Sequence, residues 1–188
     1  MNETQTGPSK ALIKIALTAL FAALTAAGAF IAIPVGPVPI VLQNLFALLS
    51  GLILGPVLGS AAVGLYLLAG TLGLPVFAGG TAGIARFAGP TGGFLVGYLL
   101  AAFTAGAIMG KASARTSLPR LITAVILGFL IVYVPGVFWL KTSLNLGLRA
   151  ALAMGFLPFI IGDVLKGIAA IAITPRLRRT AADFLGGG

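Results

Sequence analysis

Residues 15–85 read IALTALFAALTAAGAFIAIPVGPVPIVLQNLFALLSGLILGPVLGSAAVGLYLLAGTLGLPVFAGGTAGIA, and none of these 71 residues is Asp, Glu, Lys or Arg. A single membrane crossing needs only ~20 apolar residues, so this run must pass through the bilayer more than once. Lipid offers no water to backbone N–H and C=O groups, which leaves helices or closed barrels as spanning structures. No ten-residue alternating segments of the barrel type occur. The expectation is an all-α, polytopic membrane protein.

The rest of the chain fits that reading. It has 188 residues, 59% hydrophobic and only 8% charged, against about a quarter charged in soluble domains. Pro and Gly punctuate the apolar runs into six predicted spans: residues 11–33, 40–54, 57–72, 94–109, 121–140 and 158–173. Pro34, Pro37 and Pro39 separate the first two, and Gly55-Pro56 separates the second from the third. Residues 146–154 read as a short interfacial helix. The chain divides as one membrane domain, 1–188, with an N-terminal tail (1–10), a long loop or lid (73–93) and a C-terminal tail (176–188). The apolar run from Ala11 is too long for a signal-peptide core and reads as a retained first helix.

Orientation follows from the cations. Six spans place Lys10, Lys14, Lys111, Arg115, Arg120, Arg176, Arg178 and Arg179 on one side and Arg86, Lys141 and Arg149 on the other. The positive-inside bias puts both termini in the cytoplasm of a multi-pass protein of the cell (inner) membrane. Trp139 and Tyr133 then suit an aromatic belt at the outer end of the fifth span.

The same charge count excludes several functions. The net charge of +9 does not imply nucleic acid, because the cations bracket hydrophobic runs instead of forming a patch. The chain contains no Cys and no His, which removes thiol chemistry, disulfides and imidazole metal ligands. Gly110-Lys111-Ala112 lacks the upstream Gly and the hydroxyl of a phosphate-binding loop. No nucleophile–base pair is visible, so an enzyme is not expected.

Two charges lie inside an apolar span, Asp163 and Lys166. An ionisable group at the bilayer centre costs at least ~2.5–3.5 kcal/mol and usually faces a cavity. Three positions apart on a helix, the pair shares one face. It reads either as a self-neutralising structural pair or as the polar floor of a ligand pocket. Arg86 is the only charge in the 73–93 loop, either a surface arginine or a clamp for a carboxylate. Gln43 and Asn44 are amides at the outer end of the second span, suited to helix-interface bonds or to a ligand head group. Phe77, Tyr98 and Phe159 are candidate pocket walls, or plain packing. Ala19, Ala23 and Ala27 form a small-residue stripe, suited to packing within the chain or to docking a second membrane protein.

Taken together, Val35-Gly36-Pro37-Val38-Pro39-Ile40-Val41-Leu42-Gln43, Gly73-Leu74-Pro75-Val76-Phe77-Ala78-Gly79-Gly80, Gly89-Pro90-Thr91-Gly92-Gly93 and Gly162-Asp163-Val164-Leu165-Lys166 resemble the BioY family, the biotin-specific S components of energy-coupling-factor (ECF) transporters. The resemblance covers about residues 11–175. It implies a six-helix protein that captures biotin from outside and needs no cofactor of its own. The partners it implies are a transmembrane coupling subunit and two cytoplasmic ATPases. It also implies that Asp163 and Lys166 contact biotin. Arg86, Phe77 and Gly80 of the 73–93 loop are further candidate contacts, that loop is expected to act as a lid, and either Lys166 or Arg86 is the expected partner of the carboxylate. The alanine stripe resembles the docking surface that S components present to the coupling subunit. The competing expectation is an autonomous secondary carrier of another small amphiphilic anion.

Overall fold

The computed structural model describes residues 9–113 and 115–185. Of the expected tails, residues 1–8 and 186–188 lie outside the described residues. Helix α1 (Lys10–Phe30) starts on Ser9, whose hydroxyl accepts from the Leu12 N–H at 3.3 Å, as an N-cap should. It stops three residues before the expected Ile33. Ala32–Ile33 (β1) instead pairs antiparallel with Ile40–Val41 (β2), Ala32 opposite Val41 and Ile33 opposite Ile40. The prolines between them cannot continue a helix, and the hairpin satisfies the backbone at the turn. The Leu42 N–H donates to both Gly28 O and Ile31 O, at 3.2 and 3.1 Å.

Helix α2 (Gln43–Leu54) is the centre of the bundle; every residue except Phe46 is buried. At ~1.5 Å per residue it is about 18 Å long, short because both ends turn inside the protein. Gly55, at φ 84°, turns the chain, and Pro56 opens α3 (Pro56–Thr71). Glycine is needed at that positive φ, and proline costs nothing at a first helical position. Three glycines, Gly51, Gly59 and Gly97, let elements pack closely within the chain. A Cβ on Gly51 would strike the Ala102 backbone, and one on Gly59 would strike Gly51. One on Gly97 would strike Val132.

The 73–93 segment is folded. Phe77 and Thr81 form a bridge, and Ala85–Ala88 makes one helical turn, α4. The Phe77 ring sits edge-on between Tyr66 and Phe87, with centroids 5.5 and 6.1 Å away. Helix α5 (Gly92–Met109) therefore starts two residues earlier than expected. Helix α6 (Leu118–Ser143) is longer than the predicted 121–140 and continues through Pro135. The Trp139 indole N–H donates to the Gly89 carbonyl at 3.0 Å and ties α6 to the loop.

The interfacial helix is present as α7 (Leu148–Gly155), two residues later than expected at its start. A 3₁₀ turn (Leu157–Phe159) holds Pro158, and α8 runs from Ile160 to Leu185. The largest departure from expectation lies there. Arg176–Leu185 is helix, not tail, and α8 passes through Pro175. Two features hold the extension: Ala181 and Ala182 are buried, and the Arg178 guanidinium binds carbonyls of the neighbouring helix ends. Among the described residues, four helices are long and apolar enough to cross a membrane, counting α7 and α8 as one run, and α2 and α3 are shorter apolar helices.

Candidate functional site

The chain reversals bring one set of helix ends together: the start of α2, the start of α5, the end of α6 and the start of α8. Asp163 lies about 5 Å and Lys166 about 9 Å along α8 from Ile160, by the helical rise. Both are buried, at 7% and 9% exposure. Asp163 Oδ1 accepts from Lys166 Nζ at 2.9 Å. Asn44, from the first turn of α2, completes a ring. Its Nδ2 donates to Asp163 Oδ1 and its Oδ1 accepts from Lys166 Nζ, each at 2.9 Å. Each member of the triad therefore bonds the other two. Tyr133 on α6 donates to Asp163 Oδ2 at 2.5 Å.

This arrangement offsets the desolvation of both charges. A buried pair is tolerable only when its remaining hydrogen-bonding capacity is met. Asp163 accepts three bonds here, and Lys166 uses two of its three donors. The third donor of Lys166 is left for whatever enters the small void beside it. That void, about 20 Å³, is lined by Asn44, Tyr98, Phe159 and Lys166. Phe94, Tyr98, Val38 and Val41 are shared with a larger cavity of about 170 Å³ that extends beneath the 73–91 loop. Gln43, Phe77, Thr81, Arg86 and Thr91 line that second part.

Most of the residues expected at the site thus converge. Lys166, Asn44 and Phe159 meet at the small void, Gln43, Phe77 and Arg86 at the larger cavity, and Tyr98 at both. Two do not line either space. Gly80 is exposed on the loop surface at φ 68°. Asp163 stands behind Lys166 and Asn44 and borders a groove between α6 and α8. Gln43 also donates to the Tyr66 hydroxyl at 2.8 Å, which fixes its amide against the cavity wall. Arg86 is half-buried, and among the described residues no carboxylate pairs with it. Ala19, Ala23 and Ala27 are all exposed along one face of α1, so they do not serve packing within the chain. Among the described residues no cluster of His, Cys, Asp or Glu could hold a metal ion.

The sequence reading missed Tyr133, Tyr66 and Thr91 as site residues. Tyr133 read as an interfacial aromatic, and the only signal against that was its hydroxyl within the otherwise apolar stretch 124–138 of α6. Pro37 and Pro39 line the cavity as well, where the sequence marked them as helix breakers.

Fold and ring together define a helical membrane protein that encloses an ion-paired polar cluster and a small-molecule-sized cavity at one end of its bundle. The chain matches the BioY family over residues 1–183, and it belongs to that family. It is 42% identical over 165 residues to the probable biotin transporter BioY of Pyrococcus horikoshii, covering 88% of this chain and 96% of that one. It is 40% identical over 164 residues to the biotin transporter BioY of Thermotoga maritima, covering 87% and 95%. Among solved structures, the S-component for biotin from an ECF-type ABC transporter superimposes with a TM-score of 0.82 at 33% identity, covering 95% of each chain.

Proposed function

We propose that this chain is a biotin-binding membrane subunit that mediates biotin uptake as the S component of an ECF-type transporter. The observation that carries the reading is the Asn44–Asp163–Lys166 ring at the end of a mostly apolar cavity roofed by the 73–91 loop. Biotin presents two ureido N–H donors, one carbonyl acceptor, an apolar bicyclic body and a single carboxylate. The ring groups serve each other when nothing is bound. Asp163 lies behind Asn44 and Lys166 in this arrangement, so a ureido head reaches it by displacing the Asn44 bond to Oδ1: an N–H then donates to the Asp163 carboxylate and the carbonyl accepts from Lys166.

The carboxylate goes to Arg86. Asp163 and Lys166 cancel, so Arg86 is the unbalanced cation at the cavity, and its planar fork matches a carboxylate. Gln43, Thr81 and Thr91 supply further polar contacts at that end. Phe77, Tyr98 and Phe159 enclose the apolar body. The loop excludes water, which strengthens every charged contact inside.

The six apolar helices α1, α2, α3, α5, α6 and α8 form the part embedded in the cell membrane, and the positive-inside bias supports both termini in the cytoplasm. The cavity then faces outward. The exposed Ala19, Ala23 and Ala27 stripe docks a transmembrane coupling subunit, because small residues let two helices approach closely in lipid. Two cytoplasmic ATPases on that subunit supply the energy, and the chain itself breaks no bond.

Calorimetry with biotin on the detergent-purified protein tests this. Saturable binding is expected, and Lys166→Ala should weaken it by at least ~1.5 kcal/mol, roughly tenfold, for the loss of a charge-assisted hydrogen bond. Unchanged affinity in that variant, or release of a different small molecule from the purified protein by mass spectrometry, would overturn the assignment.

A further inference from the structure

Tyr133 borders both the void beside Lys166 and a groove of about 340 Å³ on the flank of α6 and α8. The groove is lined by Ile126, Leu130, Val164 and Ile168, all strongly exposed, so in a bilayer it faces acyl chains. Asp163 borders the groove and Lys166 the void. The wall between lipid and cavity is therefore one side chain thick, and the Tyr133–Asp163 bond closes it.

Tyr133 is itself held firmly. Its ring packs edge-on against Phe156 at 4.8 Å and against Phe94 at 6.4 Å, so its hydroxyl is delivered to Asp163 at a fixed point. Asn44 and Lys166 both bond Oδ1, and Tyr133 alone among the described residues bonds Oδ2. Without that hydroxyl, Oδ2 faces apolar side chains with no donor. A carboxylate in that position turns toward any other donor and leaves the plane that serves Asn44 and Lys166.

We infer that Tyr133 is a positioning residue for ligand recognition: by binding Asp163 Oδ2 it fixes the carboxylate plane that the ureido-type head group meets, and it shields that carboxylate from lipid. The inference rests on the biotin reading above. It assigns an affinity role to a residue that composition alone marks as an interfacial aromatic.

The test is a double-mutant cycle read by calorimetry with biotin and with biotin methyl ester. Tyr133→Phe keeps the ring and removes only the hydroxyl. It should weaken both ligands by the same factor, roughly tenfold for one charge-assisted bond. In an Asp163→Asn background it should cost less than twofold further, because its partner is already altered. A packing role would survive in the phenylalanine variant and leave both affinities unchanged, which overturns the inference. Equal losses in the two backgrounds overturn it too, as does a Tyr133→Phe protein that fails to fold. Absence of biotin binding by the unaltered protein would instead strike the functional reading, and the two failures are distinguishable on the first titration.

Discussion

Arg178 offers the sharpest test of how the bundle holds together away from the site. Its side chain is 1% exposed, on the part of α8 that lies beyond Pro175. Nη1 donates to Leu52 O, and Nη2 donates to Met109 O at 3.2 Å and Lys111 O at 2.6 Å. The local sequence explains why those carbonyls need it. The helical partner of Leu52 O would be the N–H of residue 56, which is proline and has none. Met109 ends α5, so its carbonyl has no helical donor either. The negative ends of two helix dipoles converge there, and a guanidinium complements both. Hydrogen bonds to a charged group contribute about 1.5–3 kcal/mol each, and three sharing one cation do not add fully. Arg178→Met keeps the aliphatic bulk and strands the carbonyls, so the expected cost is about 3–5 kcal/mol. At about 2–4 °C per kcal/mol for a chain of this size, the apparent melting temperature should fall roughly 6–20 °C. Arg178→Lys keeps the charge without the fork and should fall about half as far. Thermal unfolding of the detergent-purified variants at one scan rate reads this directly. A methionine variant within ~2 °C of the unaltered protein, or a lysine variant less stable than methionine, would refute the reasoning.

Two further outcomes concern the site and its docking face. Arg86→Ala should weaken biotin about tenfold but leave biotin methyl ester within twofold, since only the free acid has a carboxylate to lose; equal losses for both ligands would remove Arg86 from the carboxylate role. Ala23→Trp on the exposed face of α1 should leave biotin affinity in detergent unchanged while abolishing co-purification with the coupling subunit, because an indole blocks the close helix approach that small residues permit. Co-purification at the level of the unaltered protein would move the docking surface elsewhere.

The parts of the fold that were legible in the residues are those where one local feature decides. A 71-residue run without charge dictates repeated crossing, and Gly55-Pro56 marks the α2–α3 break to the residue because one member supplies a positive φ and the other lacks an N–H. What escaped depends on partners far along the chain. The β1–β2 hairpin has two-residue strands, too short for any alternation to show. Pro175 read as a stop, since the predicted span ended at residue 173, yet it lies inside α8; the predicted 121–140 span already ran through Pro135, as α6 does. At α8 the compensation is visible: the cluster Arg176-Leu177-Arg178-Arg179 looks like a solvated tail, and its central arginine is in fact buried on carbonyls that carry no sequence signature.

The site divides the same way. Asp163 and Lys166 stood out because ionised groups are costly in lipid, and that cost is a property of each residue alone. Tyr133 and Tyr66 did not, since an aromatic with a hydroxyl is equally at home in a membrane interface. Helix α8 makes the common principle plain. It carries a buried ion pair near one end and a buried guanidinium near the other, and at both ends the charge is held by groups from other helices. At the Lys166 end the partner is Asn44, in the first turn of α2; at the Arg178 end it is Leu52 O, in the last turn of the same helix. The two charged regions of α8 therefore grip α2 at both of its ends. The shortness of α2 is what makes this possible, because a full-length span would have carried its termini out to water and left both regions of α8 without partners.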